Sequence, residues 1–153
     1  MKYTLQHNVE MELNTIVLDL NGTLSVHGKI VEGVQSRISN LKNLGFKIIL
    51  LTGDQRGTAK NIASDLGIEV LVAGTETQKE HAMKKFDKDT TVAIGNARID
   101  IGMFRHAKLR IATLQGEGIH PKILTNVDII VTSINDALDL LLKVDSLAAT
   151  LKE

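Results

Sequence analysis

Apolar residues fall into short runs separated by amphipathic stretches, a rhythm that predicts strands alternating with helices. The runs are Ile16–Leu18, Ile48–Leu51, Val70–Val72, Val92–Ile94, Leu109–Ala112 and Ile129–Val131. None contains Pro and most are rich in Ile and Val, as in strands buried on both faces. Between the runs the period changes. Val34, Ile38 and Leu41 fall at i, i+4 and i+7, and Gly45 stands where a helix C-cap glycine belongs. Ile62 and Leu66 repeat the pattern up to Gly67, and Ala82, Met83 and Phe86 mark a third helix. Ile99–Ala107 and Ile134–Leu142 give a fourth and a fifth, the last opened by Ser133 and Asp136 at capping-box spacing. This β-α-β-α order builds a parallel sheet with helices on both faces. Residues 1–13 fit either an antiparallel edge strand or an arm on a neighbour. The tail beyond Val144 can extend the last helix or pack separately.

Composition narrows the function. No Pro/Gly-rich linker or internal repeat divides the 153 residues, so one α/β domain is expected, with a core over about 14–143. Eighteen Lys and Arg balance eighteen Asp and Glu, which argues against a nucleic-acid groove or a polybasic membrane patch. Aromatic residues make up 3%, too few for single-strand stacking platforms. The absence of Cys excludes disulfides, thiolate metal sites and a Cys nucleophile. His7, His81, His106 and His120 lack the spacing of zinc ligands. The N-terminus has no apolar leader region, and the longest strongly apolar run, Ile48-Ile49-Leu50-Leu51, is far short of a bilayer span. A cytoplasmic protein is expected.

In open parallel sheets, ligands bind beyond the carboxyl ends of the strands. The candidate chemistry therefore lies in Asp19-Leu20-Asn21-Gly22-Thr23, Thr52-Gly53-Asp54 and Gly95-Asn96-Ala97-Arg98-Ile99-Asp100. Asp19 ends a hydrocarbon strand, where a carboxylate is costly unless it is paired or bound to a cation. It is placed as a nucleophile or metal ligand, or else as a cap for the turn that follows. Thr52 and Gly53 offer a hydroxyl and an amide to an anion at a helix N-terminus, or an ordinary N-cap. Asn96 and Asp100 can complete an oxygen-ligand set for Mg²⁺ or serve as cap and first-turn acid. Lys79 can neutralise a phosphoryl group as a point charge, whereas Lys84, Lys85 and Lys88 look like a solvated face. Arg56, Arg98 and His27 lie near the expected mouth. Gly116-Glu117-Gly118 reads as a loop after the fifth strand and not as a phosphate cradle.

Together these residues resemble the haloacid dehalogenase superfamily of aspartate-nucleophile phosphotransferases. Asp19-Leu20-Asn21-Gly22-Thr23-Leu24 resembles its first motif, Leu51-Thr52-Gly53-Asp54 its second, Lys79 its third, and Gly95-Asn96 with Asp100 its fourth, in that order. The Thr-Gly-Asp form and the stretch from Val92 to Met103 are most similar to the phosphorylation domain of P-type ATPases. The resemblance implies a three-layer Rossmann-like fold with a central, mainly parallel sheet. It also implies an aspartyl phosphate on Asp19, phosphoryl oxygens held by Thr52, Gly53 and Lys79, and Mg²⁺ held by Asp19, Asn21, Asn96 and Asp100. The space between motifs is filled by helix and strand, so no cap domain is expected, and residues 24–30 read as a short hairpin flap. Small capless members often tetramerise, which leaves room for a dimer or tetramer. A small phosphorylated substrate is implied, with no nucleic-acid or membrane partner.

Two positions depart from the family pattern. Asn21 stands where a second Asp transfers protons, and Asn96 stands where an Asp ligates the metal. General acid–base help typically contributes ~10²–10⁴-fold, so turnover is expected to be slow or narrow. The leading reading is a Mg²⁺-dependent phosphohydrolase. The alternative is a weakened phosphate- and Mg²⁺-binding or phosphoryl-accepting regulator that works through a partner.

Overall fold

The structure, a computed structural model, describes residues 1–54 and 57–153. In chain order its elements are β1 (Lys2–Thr4), β2 (Glu10–Glu12), β3 (Thr15–Leu18), β4 (Ser25–Val26), β5 (Lys29–Ile30), α1 (Val34–Asn43), β6 (Lys47–Thr52), α2 (Thr58–Leu66) and β7 (Glu69–Val72). There follow α3 (Glu76–Met83), β8 (Thr91–Gly95), α4 (Ile101–Phe104), β9 (Leu109–Thr113), β10 (Ile129–Val131), α5 (Ile134–Leu142) and α6 (Val144–Thr150).

Six strands form a sheet in the order β10-β9-β8-β3-β6-β7, and every pairing in it is parallel. All six expected strands are present at their expected places. Successive side chains of a strand alternate between faces, so each strand feeds two cores. Ile16, Leu18, Ile48, Leu50, Val92 and Ile94 join Val34, Ile38 and Leu41 of α1 and Ile134, Leu138 and Leu141 of α5. Val17, Ile49, Leu51 and Ala93 face the other way, against Met83, Ile101, Met103 and Phe104. The result is three layers.

The chain runs from β3 outward through β6 and β7, then crosses to β8, β9 and β10 on the opposite side of β3. The connections therefore diverge around β3, and a crevice opens beyond its carboxyl end. Register places the three polar sets together there, because Leu18 pairs with Leu50 on one side and with Ile94 on the other.

Several expectations change in detail. Residues 1–13 do not join the central sheet. β1 and β2 pair with each other, Tyr3 is fully buried, and its hydroxyl donates to the Leu141 carbonyl at 2.7 Å. The tail packs separately as α6, because Lys143 leaves helical geometry between α5 and α6. The third helix ends at Met83, before Phe86. The fourth shrinks to a 3₁₀ turn, Arg98–Asp100, and one turn of α-helix. The capping-box serine at α5 holds: Ser133 Oγ accepts from the Asp136 amide at 3.1 Å. No helix among the described residues is long and apolar enough to cross a membrane.

Candidate active site

The loop after β3 is a tight coil whose backbone closes on itself. Gly22 N donates to Ser25 O at 2.7 Å and Ser25 N to Leu20 O at 2.9 Å. Gly22 has φ +79°, and a Cβ there would strike the Asn96 side chain. Only glycine satisfies both demands. Gly22→Ala is expected to cost about 2 kcal/mol or more of stability, read by urea unfolding; a change within ~0.5 kcal/mol would contradict this account of the loop.

Asp19 follows the last residue of β3 and is nearly buried. Lys79, fully buried and the fourth residue of α3, reaches it from the β6 side. The Lys79 ammonium donates to Asp19 Oδ1 at 2.7 Å, to Asp100 Oδ1 at 2.7 Å and to the Leu51 carbonyl at 3.1 Å. Its three protons are thus all used. Asp100 is fully buried, and its Oδ2 accepts from the amides of Asn96 and Ala97, both at 2.9 Å. It therefore acts at once as loop brace and charge partner.

One ammonium faces two carboxylates, which leaves one uncompensated negative charge out of water. Burial, followed by the charge of Asp100, pushes the Asp19 carboxyl up to about 7, while Lys79 pulls it down. Burial works against the Lys79 ammonium, but the two carboxylates outweigh it and hold its pKa above the usual value.

Asn96 is buried and spans two loops. Its Oδ1 accepts from Thr23 Oγ1 at 3.3 Å, and its Nδ2 donates to the Gly118 carbonyl at 3.0 Å. Asn21 is exposed. With Leu20, Ser25, Asp54, Thr58 and Ile62 it lines an open cavity of about 530 Å³ beside the flap. The flap is the β4–β5 hairpin, turned by His27 and Gly28 at positive φ. A cavity of similar size, about 540 Å³, lies between β7 and α3 around Val72 and His81, and none of the candidate residues lines it.

Thr52 is the buried last residue of β6, whereas α2 begins only at Thr58, so Thr52 does not sit in the first turn of that helix. Its hydroxyl accepts from the Asp54 amide at 3.2 Å, and Asp54 Oδ2 accepts from the Ala59 amide at 3.0 Å, capping α2. Gly53 is exposed at the cavity. Arg98 and His27 are exposed, and Arg56 lies outside the described residues.

The structure thus brings Asp19, Lys79 and Asp100 into one hydrogen-bonded group, with Asn96 beside it and Asn21, Gly53 and Asp54 at the mouth. Sequence reasoning missed Thr113 and Gln115. Thr113 Oγ1 donates to the Gly22 carbonyl at 3.1 Å, and Gln115 Nε2 donates to the carbonyls of Gly22 and Thr23 at 3.0 and 2.8 Å. The position of Thr113 at a strand end was the available signal.

Among the described residues no three His, Cys, Asp or Glu side chains cluster as a metal site. The oxygens at hand are the Asp19 carboxylate, the Asn96 amide and loop carbonyls. These are hard donors of the kind Mg²⁺ accepts while keeping several waters. Together with the uncompensated buried charge, they fit a divalent cation.

A sequence profile described as haloacid dehalogenase-like hydrolase matches residues 22–108. A protein of Methanocaldococcus jannaschii named as a soluble P-type ATPase-like phosphatase is 23% identical over 137 residues, 86% of this chain and 50% of the relative. The chain therefore spans about half of that relative's length. An uncharacterized protein of the same archaeon is 40% identical over 78 residues, 51% of this chain and 78% of its own. Among solved structures, the cobalt-bound deoxy-D-mannose-octulosonate 8-phosphate phosphatase of Haemophilus influenzae superposes with a TM-score of 0.73 at 15% identity, covering 93% of this chain and 94% of its own.

Proposed function

The chain belongs to the haloacid dehalogenase-like hydrolases, and we propose that it is a Mg²⁺-dependent phosphohydrolase acting on a small phosphorylated compound through an aspartyl phosphate on Asp19. The observation that carries the reading is the Lys79 ammonium clamped between Asp19 and Asp100 at the carboxyl end of β3. The phosphatases among its relatives and fold neighbours support a phosphorylated substrate, and the cobalt-bound neighbour supports a divalent cation.

An Asp19 carboxylate oxygen attacks phosphorus, the bond to the leaving group breaks, and its electron pair departs with that group. Lys79 favours the ionised form of Asp19 that the attack needs, and its charge offsets that of the phosphoryl oxygens, to which Thr52 and Gly53 would donate. Asp100 holds Lys79 in place. Asp19, the Asn21 carbonyl and Asn96, with Asp100 behind them, would hold Mg²⁺, which shields the charge between carboxylate and phosphate. Asn21 can neither protonate the leaving group nor activate the water that frees the enzyme, so both transfers fall to solvent.

Phosphate release from a panel of phosphomonoesters and acetyl phosphate, with Mg²⁺ and again with chelator, tests this. Release that requires the cation is expected; release indifferent to chelator would overturn the metal assignment. Asn21→Asp is expected to raise turnover by roughly 10²-fold, the lower end of general acid–base help, and an unchanged rate would refute the account of the missing proton carrier. The regulatory reading is favoured by the same Asn21 together with Asn96. It is distinguished by a phosphorylated Asp19 that accumulates without phosphate release.

A further inference from the structure

The loop after β9, which the sequence shows only as Gly-rich punctuation, reaches into the site at both its ends. Gln115, half-buried, places its two Nε2 protons on the carbonyls of Gly22 and Thr23 at 3.0 and 2.8 Å. Its Oε1 accepts from the Ile134 amide, in the first turn of α5, at 2.9 Å. The amide is thus held by the loop that carries Asn21 on one side and by the start of a core helix on the other. Three residues on, the Gly118 carbonyl accepts from Asn96 Nδ2, and Asn96 Oδ1 in turn takes the Thr23 hydroxyl. Gln115 and Gly118 therefore fix, from outside, the two oxygen-bearing segments proposed to hold the cation: the Asn21–Thr23 backbone and the Asn96 amide.

We infer that Gln115 is a positioning residue for the divalent cation, setting the Asn21 carbonyl and, through Thr23, the Asn96 amide oxygen. The inference rests on the proposed function. Outer partners of this kind typically change metal affinity 10–100-fold without touching the metal. A backbone carbonyl has no side chain of its own to orient it, so its direction depends on the hydrogen bonds of its neighbours. At this loop Gln115 supplies two of them, and Thr113 Oγ1 supplies a third, on Gly22.

The test is Mn²⁺ binding, read from the free-Mn²⁺ electron paramagnetic resonance signal on the whole protein without substrate. Wild type, Asp19→Asn, Gln115→Leu, Gln115→Glu, Thr113→Val and Arg37→Leu are compared, each with its melting curve. Arg37 pairs with Asp139 at 2.8 Å between α1 and α5, away from the site, and serves as the purely structural control. Gln115→Leu is expected to raise the Mn²⁺ Kd by about tenfold or more. Gln115→Glu, which keeps the shape and the bond from Ile134 but loses both donors, should do the same and covers the case in which Leu fails to fold. Thr113→Val should raise Kd only a few-fold, and Arg37→Leu should lower Tm with Kd unchanged. Gln115 variants that bind as wild type, or that lose no more affinity than Arg37→Leu, would overturn the positioning role alone. Wild type without measurable Mn²⁺ binding, or binding indifferent to Asp19→Asn, would overturn the proposed function with it.

Discussion

Lys79→Met is expected to cost ~3–5 kcal/mol of folding stability at pH 8, the usual penalty for breaking a buried ion pair by removing one partner. The side chain is fully buried, and its ammonium is the cation bonded to both Asp19 and Asp100. Met keeps the length and fills the space, so the loss isolates charge from packing. Two buried carboxylates left together cannot both stay ionised at low cost, and Asp19, already pushed up to about 7 with Lys79 present, will rise further. The variant should therefore be more stable at pH 5.5 than at pH 8. Urea titrations at the two pH values check this. A loss below ~1 kcal/mol, or one equal at both, would show that the ammonium does not hold the pair.

Asp19→Asn is expected to do two opposite things. Phosphate release should fall by at least ~10⁴-fold, because the group proposed to form the covalent intermediate is gone. Folding stability with the cation chelated should rise by about 1–3 kcal/mol at pH 8, because a buried charge in excess of its partner is removed while Lys79 and Asp100 remain paired. The sign of the pH dependence follows from the raised pKa. As pH rises from about 4 to about 7, the unfolded chain gives up the Asp19 proton while the folded chain still holds it, so wild-type stability falls over that window and levels off above it. In Asp19→Asn this part of the slope should vanish, so the two proteins converge toward pH 4. Differential scanning calorimetry across that range is the check. A variant less stable than wild type at pH 8 would mean that the Asp19 bond to Lys79 outweighs its burial.

Much of this was legible in the chain because the signals were local. Strands such as Ile48–Leu51 are continuous apolar runs, and their polar ends mark the active edge of a parallel sheet wherever it lies. Asp19, Lys79 and Asp100 could be singled out one by one, but their convergence on one ammonium is tertiary, since 60 and 21 residues separate Lys79 from its two partners. The placement of residues 1–13 was not legible, because three-residue strands pairing only with each other carry no period long enough to read. Phe86 and the stretch around Ile99 misled for a related reason. Apolar spacing continues past a helix end whenever the following turn still faces the core. Gln115 gave no signal at all, since an amide that braces two backbone carbonyls looks in sequence like any polar loop residue.

The most direct measurement is to trap the proposed covalent intermediate. The protein would be incubated with Mg²⁺ and acetyl phosphate, quenched in acid and reduced with borohydride, and its peptides read by mass spectrometry. Reduction of an aspartyl phosphate leaves homoserine. The account predicts homoserine at Asp19, abolished by chelator. Phosphate release with Asp19 unmodified, or modification at another carboxylate, would contradict it.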